Sequence, residues 1–180
     1  MFSTAPLPVS ESILEAIGMR MSVHHQERIP EGAAVVVVSN HRSFMDASVL
    51  IAALSRPVRI ACHHYMGQVP VMREIVHLLG CFPLEQLQRR QHGFFERATE
   101  FLQAQQWVGI FPEGAQPMVE LTPPREVGKF HRGFAHLALR VPISYLAVLP
   151  VAIASVEESL HSGLPIRFLR LFDPSWPLLA

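Results

Sequence analysis

The stretch Val35 to Asp46 reads Val-Val-Val-Val-Ser-Asn-His-Arg-Ser-Phe-Met-Asp, and it sets an imidazole, His41, shortly before a carboxylate, Asp46. A carboxylate that accepts the proton of one ring nitrogen leaves the other nitrogen as a base able to take a proton from a hydroxyl. The spacing dictates which backbone lets the two meet. On a continuous helix, at roughly 100° per residue, His41 and Asp46 would stand about 140° apart and out of reach. They meet only if His41 occupies a turn ahead of the helix that carries Asp46. A second polar corner, Phe111-Pro112-Glu113-Gly114-Ala115-Gln116, offers a carboxylate and a tight turn further along.

The elements around these corners follow from pattern. Four consecutive β-branched residues, Val35 to Val38, bounded by polar turn formers, predict a short strand buried on both faces, as in a parallel sheet. Ser43 and Asp46 have the spacing of a capping box, which predicts a helix over Phe44 to Leu54. Trp107 to Phe111 reads as another buried strand, so each polar corner follows a strand end. Two strand ends of one sheet can line one crevice.

Elsewhere the periodicity predicts helices over Ser10 to Met21, from Pro70 to a stop at Gly80, over Gln86 to Gln106 and over Gly133 to Arg140. In the Pro70 helix, Val71, Ile75, Leu78 and Leu79 define the expected inner side. Strands are expected at Val58 to Cys62, Cys81 to Leu84, Ser144 to Ala154 and Ile166 to Phe172. Residues 1–9 look like a loose lead-in, and 112–128 a Pro-rich loop of the kind that carries ligand contacts. Strands alternating with helices argue a single α/β domain over residues 1–180, with a mixed, mainly parallel sheet flanked by helices.

Composition narrows the function classes. Lys plus Arg balance Asp plus Glu at 15 each, and no basic run provides a nucleic-acid footprint. Hydrophobic residues make up 49% and charged ones 17%, a greasy balance, yet no stretch has the length of a membrane span. The expectation is a protein that lies on a membrane surface, with Met72, Val76 and the Trp176 to Leu179 tail as interfacial residues. Two cysteines without a framework spacing and no leader-like start suggest a reducing, cytoplasmic setting. The pairs His24-His25 and His63-His64 are adjacent, so their side chains diverge and no metal is expected. No Gly-x-Ser-x-Gly elbow, Gly-Lys phosphate loop or dinucleotide fingerprint occurs.

Asn40-His41-Arg42-Ser43-Phe44-Met45-Asp46 resembles the His-x4-Asp element of the glycerolipid acyltransferases, the 1-acylglycerol-3-phosphate acyltransferase type. Three further stretches resemble that family's later elements in the same order. They are Phe111 to Gln116, then Lys129 to Ala135, then Val148 to Ala152, with Gly80 to Gln86 as a looser counterpart of the second element. The likeness spans about residues 34–153, and the ordered combination is specific where any one piece is not.

That resemblance implies acyl transfer from a thioester, acyl-CoA or acyl carrier protein, to a lyso-lipid hydroxyl, with no further cofactor. It implies His41 as general base with Asp46 orienting it, and Arg42, Gln86, Glu113, Gly114, Gln116, Lys129 and Gly133 in substrate binding. Pro150 within an apolar strand suggests a bulge beside a pocket. Gln86 and Gln116 stand where members that use a phosphorylated acceptor commonly carry arginine, whose fork fits phosphate. Arg89, Arg90, Arg125 or Arg132 then substitutes, or the acceptor head group differs from lysophosphatidic acid. The alternative to an enzyme is a lipid-binding or adaptor protein that keeps the fold.

Overall fold

A computed structural model describes residues 6–63, 66, 70–84, 90–114 and 126–154. Its centre is β1 (Ala34–Ser39), whose six residues are all buried. Valine on both faces suits that place, because a strand covered on both sides has no face left for polar residues. Val36 and Val38 pack with Val108, Ile110, Leu102 and Leu137 on one face. Val35 and Val37 pack with Leu50, Ile51, Val58 and Ile60 on the other. The chain thus builds one apolar layer on each side of a single sheet.

In chain order the elements are α1 (Pro6–Ala16), β1, α2 (Asp46–Ala53), β2 (Val58–Cys62), α3 (Pro70–Leu78), β3 (Phe82–Pro83), α4 (Arg90–Gln103), β4 (Trp107–Ile110), α5 (Gly133–Arg140) and β5 (Leu146–Val151). The five strands lie in the order β3-β2-β4-β1-β5. Every pairing among them is parallel. The fold is the expected α/β domain, with a wholly parallel sheet among the described residues. In the register, Val38 faces Ile110 across β1 and β4, so the carboxyl ends of these two strands lie side by side.

Several expectations are corrected. Among the described residues α1 starts at Pro6, inside the supposed lead-in, and its first described turn carries Pro6 and Pro8. The hydroxyl of Ser10 donates to the Pro6 carbonyl at 2.7 Å and secures that turn. The helix also ends early. Gly18 takes a left-handed φ of 69°, and the bonds from Gly18 to Glu15 and from Met19 to Leu14 close the end, so Met21 lies beyond it and exposed. On α3 the buried side carries Val76 and Leu79, whereas Leu78, expected inside, is 48% exposed. Val76 is therefore core and not an interfacial residue.

Pro150 is also placed differently from expectation. It pairs with Val38 in an unbroken register that runs from Ala34 opposite Leu146 to Ser39 opposite Val151, without a bulge. β5 is the outermost strand among the described residues, and an outer strand tolerates a residue that cannot donate to a ladder. The expected Ile166 to Phe172 strand and the Trp176 tail lie outside the described residues. Among those described, no helix is long and apolar enough to cross a membrane.

Gly109 sits in mid-sheet, opposite Val37 on one side and Ile60 on the other. A Cβ there would come within 2.9 Å of Ile60 Cγ1 and 3.0 Å of Val58 Cγ1. Gly109→Ala should therefore overpack the sheet and lower stability by about 1–3 kcal/mol in urea unfolding, although it adds only a methyl group.

Candidate active site

The turn after β1 carries His41, and the turn after β4 carries Phe111 to Gly114, so adjacent strand ends bring the two polar corners together. The imidazole of His41 stacks on the Phe111 ring, with centroids 4.3 Å apart and planes 12° from parallel. His41 Nδ1 lies 2.7 Å from Asp46 Oδ2. With the carboxylate accepting from Nδ1–H, the lone pair is on Nε2, the nitrogen left to act as a base. The same Oδ2 accepts the backbone N–H groups of Arg42 and Ser43, the latter at 2.9 Å. Asp46 is 2% exposed, so these donors supply the compensation that a buried carboxylate requires.

This use of Asp46 explains why α2 starts later than its sequence signal. The carboxylate does accept the Ser43 N–H, the reciprocal arm of the expected capping box. The Ser43 hydroxyl, however, accepts from Met45 N–H at 3.1 Å, and Asp46 N–H goes to the Ser43 carbonyl at 3.1 Å. Residues 43–45 are thus held as a turn, and the helix begins at Asp46 with Met45 as a cap that makes no side-chain bond.

Glu113 is 3% exposed. Its Oε2 accepts the backbone N–H of His41 at 3.4 Å, and its Oε1 accepts the backbone N–H of Gly128 at 3.2 Å. Gly114 turns the chain with φ 70° and lies close to the His131 ring. The Arg42 guanidinium donates to the Glu126 carbonyl at 2.5 Å. Lys129 is exposed on the same 126–132 segment, and Gly133 opens α5. His41, Arg42, Asp46, Glu113 and Gly114 are thus gathered at one end of the sheet, with the segment bearing Lys129 bonded to them. Gln86 and Gln116 lie outside the described residues.

One residue was missed by sequence reasoning. Asn40, 5% exposed, donates from Nδ2 to the Ile153 carbonyl at 2.9 Å and accepts the Ile153 N–H on Oδ1 at 2.7 Å. It clasps the start of the His41 turn to the chain just past β5. The available signal was an amide at the end of an all-apolar strand, where a buried polar group must find partners.

The cysteines do not supply a nucleophile. Burial pushes the Cys62 thiol up to about 12 and the Cys81 thiol still further, so neither forms a thiolate at neutral pH. Among the described residues no group of three potential ligands could hold a metal ion. At pH 8 both thiols should resist iodoacetamide in the native protein and react once it is unfolded, as mass spectrometry would register. Nitrogen-15 NMR at a pH where His41 is neutral should show its proton on Nδ1, and Asp46→Ala should remove that tautomer preference.

The family model described as Acyltransferase matches residues 20–154. A chloroplastic 1-acyl-sn-glycerol-3-phosphate acyltransferase of Arabidopsis thaliana is 23% identical over 146 residues, covering 80% of this chain and 38% of that protein. A probable 1-acyl-sn-glycerol-3-phosphate acyltransferase of Mycoplasma pneumoniae is 24% identical over 148 residues, covering 79% of this chain and 51% of that protein. The chain therefore spans about half or less of the length of these relatives. In fold it matches the crystal structure of the 1-acyl-sn-glycerophosphate acyltransferase PlsC from Thermotoga maritima, with a TM-score of 0.52 at 16% identity over 91% of this chain and 71% of that one. With most of its length matched by that family model, the chain belongs to the Acyltransferase family.

Proposed function

We propose that the protein transfers a fatty acyl group from a thioester, acyl-CoA or acyl carrier protein, to a free hydroxyl of a lysophospholipid. The observation that carries this reading is the 2.7 Å contact between His41 Nδ1 and Asp46 Oδ2 at the end of β1. His41 Nε2 takes the proton of the acceptor hydroxyl as its oxygen attacks the thioester carbonyl. The tetrahedral oxyanion then collapses, the C–S bond breaks, and the departing sulfur takes the proton from the imidazolium. No acyl-enzyme forms, in keeping with two protonated thiols. Asp46 holds the tautomer and stabilises the imidazolium while it lasts.

Arg42, Lys129 and the N-terminal turn of α5 at Gly133 are the groups assigned to anionic parts of the substrates or to the oxyanion. Gln86 and Gln116 are assigned to the acceptor. Each offers neutral donors where an arginine would offer a fork, and a charged hydrogen bond contributes about 1.5–3 kcal/mol. That difference favours a head group other than bare phosphate, and the protein is assigned to a membrane surface, where its acceptor resides. An adaptor that only binds lipid would have no use for a buried carboxylate spent on orienting an imidazole.

Replacing His41 by Ala should cut thiol release from long-chain acyl-CoA by about 10²- to 10⁴-fold in the presence of lyso-lipid, in a protein that circular dichroism shows to be still folded. Unchanged thiol release would end the proposal. Across a panel of lyso-lipids, neutral or zwitterionic acceptors should turn over at least as fast as lysophosphatidate, and a clear preference for lysophosphatidate would remove the assignment of the two glutamines.

A further inference from the structure

Residues 111–114 form a sequence corner whose every member is engaged inside the protein. Phe111 backs the His41 ring, and the Pro112 carbonyl accepts the His131 N–H at 2.8 Å. Glu113 divides its two oxygens between the N–H groups of His41 and Gly128. Gly114, with its left-handed φ, leaves the side of its backbone open to the His131 ring; a Cβ there would sit 3.8 Å from that ring. At Gly128 a Cβ would lie 3.5 Å from the Glu113 carboxyl carbon, so this backbone passes directly against the carboxylate. A buried carboxylate with both oxygens committed to backbone donors on two different segments has the chemistry of a strut. Each oxygen keeps a second lone pair, but at 3% exposure the carboxylate offers almost no surface from which an acceptor hydroxyl could reach it.

We propose that Glu113 is a positioning residue, which fixes the main chain under His41 to the 126–132 segment and thereby sets the height of the base, and that it does not bind the acceptor. The proposal rests on the acyl-transfer reading for its kinetic consequence, but its structural content stands apart from it. The base turn and the 126–132 segment then move as one body: the carboxylate is the joint between His41 and the stretch carrying Lys129. Misplacing a base by a fraction of an ångström lowers the rate of proton removal while leaving the contacts that hold the acceptor intact.

Glu113→Gln discriminates the two roles. Glutamine keeps one acceptor oxygen but aims an NH₂ donor at the other N–H, so one of the two struts is lost. The loss in kcat/KM should be carried by kcat, at least tenfold, with the acceptor KM within threefold of wild type. A loss carried by the acceptor KM, or no loss, overturns the proposal. Amide hydrogen exchange by NMR supplies a readout independent of catalysis and needs no variant. In the wild-type protein the His41 and Gly128 amides should exchange at least tenfold more slowly than that of exposed Lys129, and in Glu113→Gln at least one of the pair should lose that protection. Unprotected His41 and Gly128 amides in the wild type would sink the strut even if Glu113→Gln failed to fold. Protected amides in a protein without thioester turnover would instead retain the strut and remove the acyl-transfer reading.

Discussion

The arrangement depends on a carboxylate that has been taken out of water and given donors in exchange. Asp46 Oδ2 accepts from His41 Nδ1 and from the N–H groups of Arg42 and Ser43, all within one turn. Burying a carboxylate without such partners costs several kcal/mol, so these bonds are the condition for the turn to exist. The ring is then held from three directions. Asp46 fixes one nitrogen, Phe111 lies against its face, and Glu113 accepts from its own backbone N–H. A base so confined has little rotamer freedom left to lose when substrate arrives.

That confinement is supported by the sheet. β1 is flanked by β4 and β5 and covered on both faces, so the turn it delivers is tied to the best-packed part of the chain. The parallel topology also matters. All five strands point the same way, and the residues after their carboxyl ends collect at one rim, which is where an α/β sheet places its ligands. Neighbouring strands β1 and β4 therefore meet as partners although 72 positions separate His41 from Glu113.

Much of this was legible in the residues. The run of valines marked β1, and the spacing of His41 and Asp46 required a turn between them. Val58 to Cys62 was bounded correctly, because Pro57 and the β-branched content define it locally. What escaped notice depended on contacts distant in sequence. The register of Pro150 at the outer strand, the inward face of Val76 and the two-sided clasp of Asn40 are all set by what lies across the sheet or under a helix. The late start of α2 had a different origin. Ser43 and Asp46 carried a genuine capping signal, and the carboxylate honoured its half through the oxygen it also gives to the imidazole, while the Ser43 hydroxyl went to Met45 N–H instead of Asp46 N–H.

The Asn40 clasp bears on the order in which a ribosome hands over the parts. His41 and Asp46 emerge together and can find each other at once, whereas Ile153 follows Asn40 by 113 positions. Closing so long a loop is entropically unfavourable until the sheet has formed, so the setting of the dyad is completed late in synthesis. A nascent chain halted before Ile153 would already hold the imidazole, its aspartate, Phe111 and Glu113, but Asn40 would have no partner, and the root of the turn would be secured only once the chain past β5 had been laid beside β1.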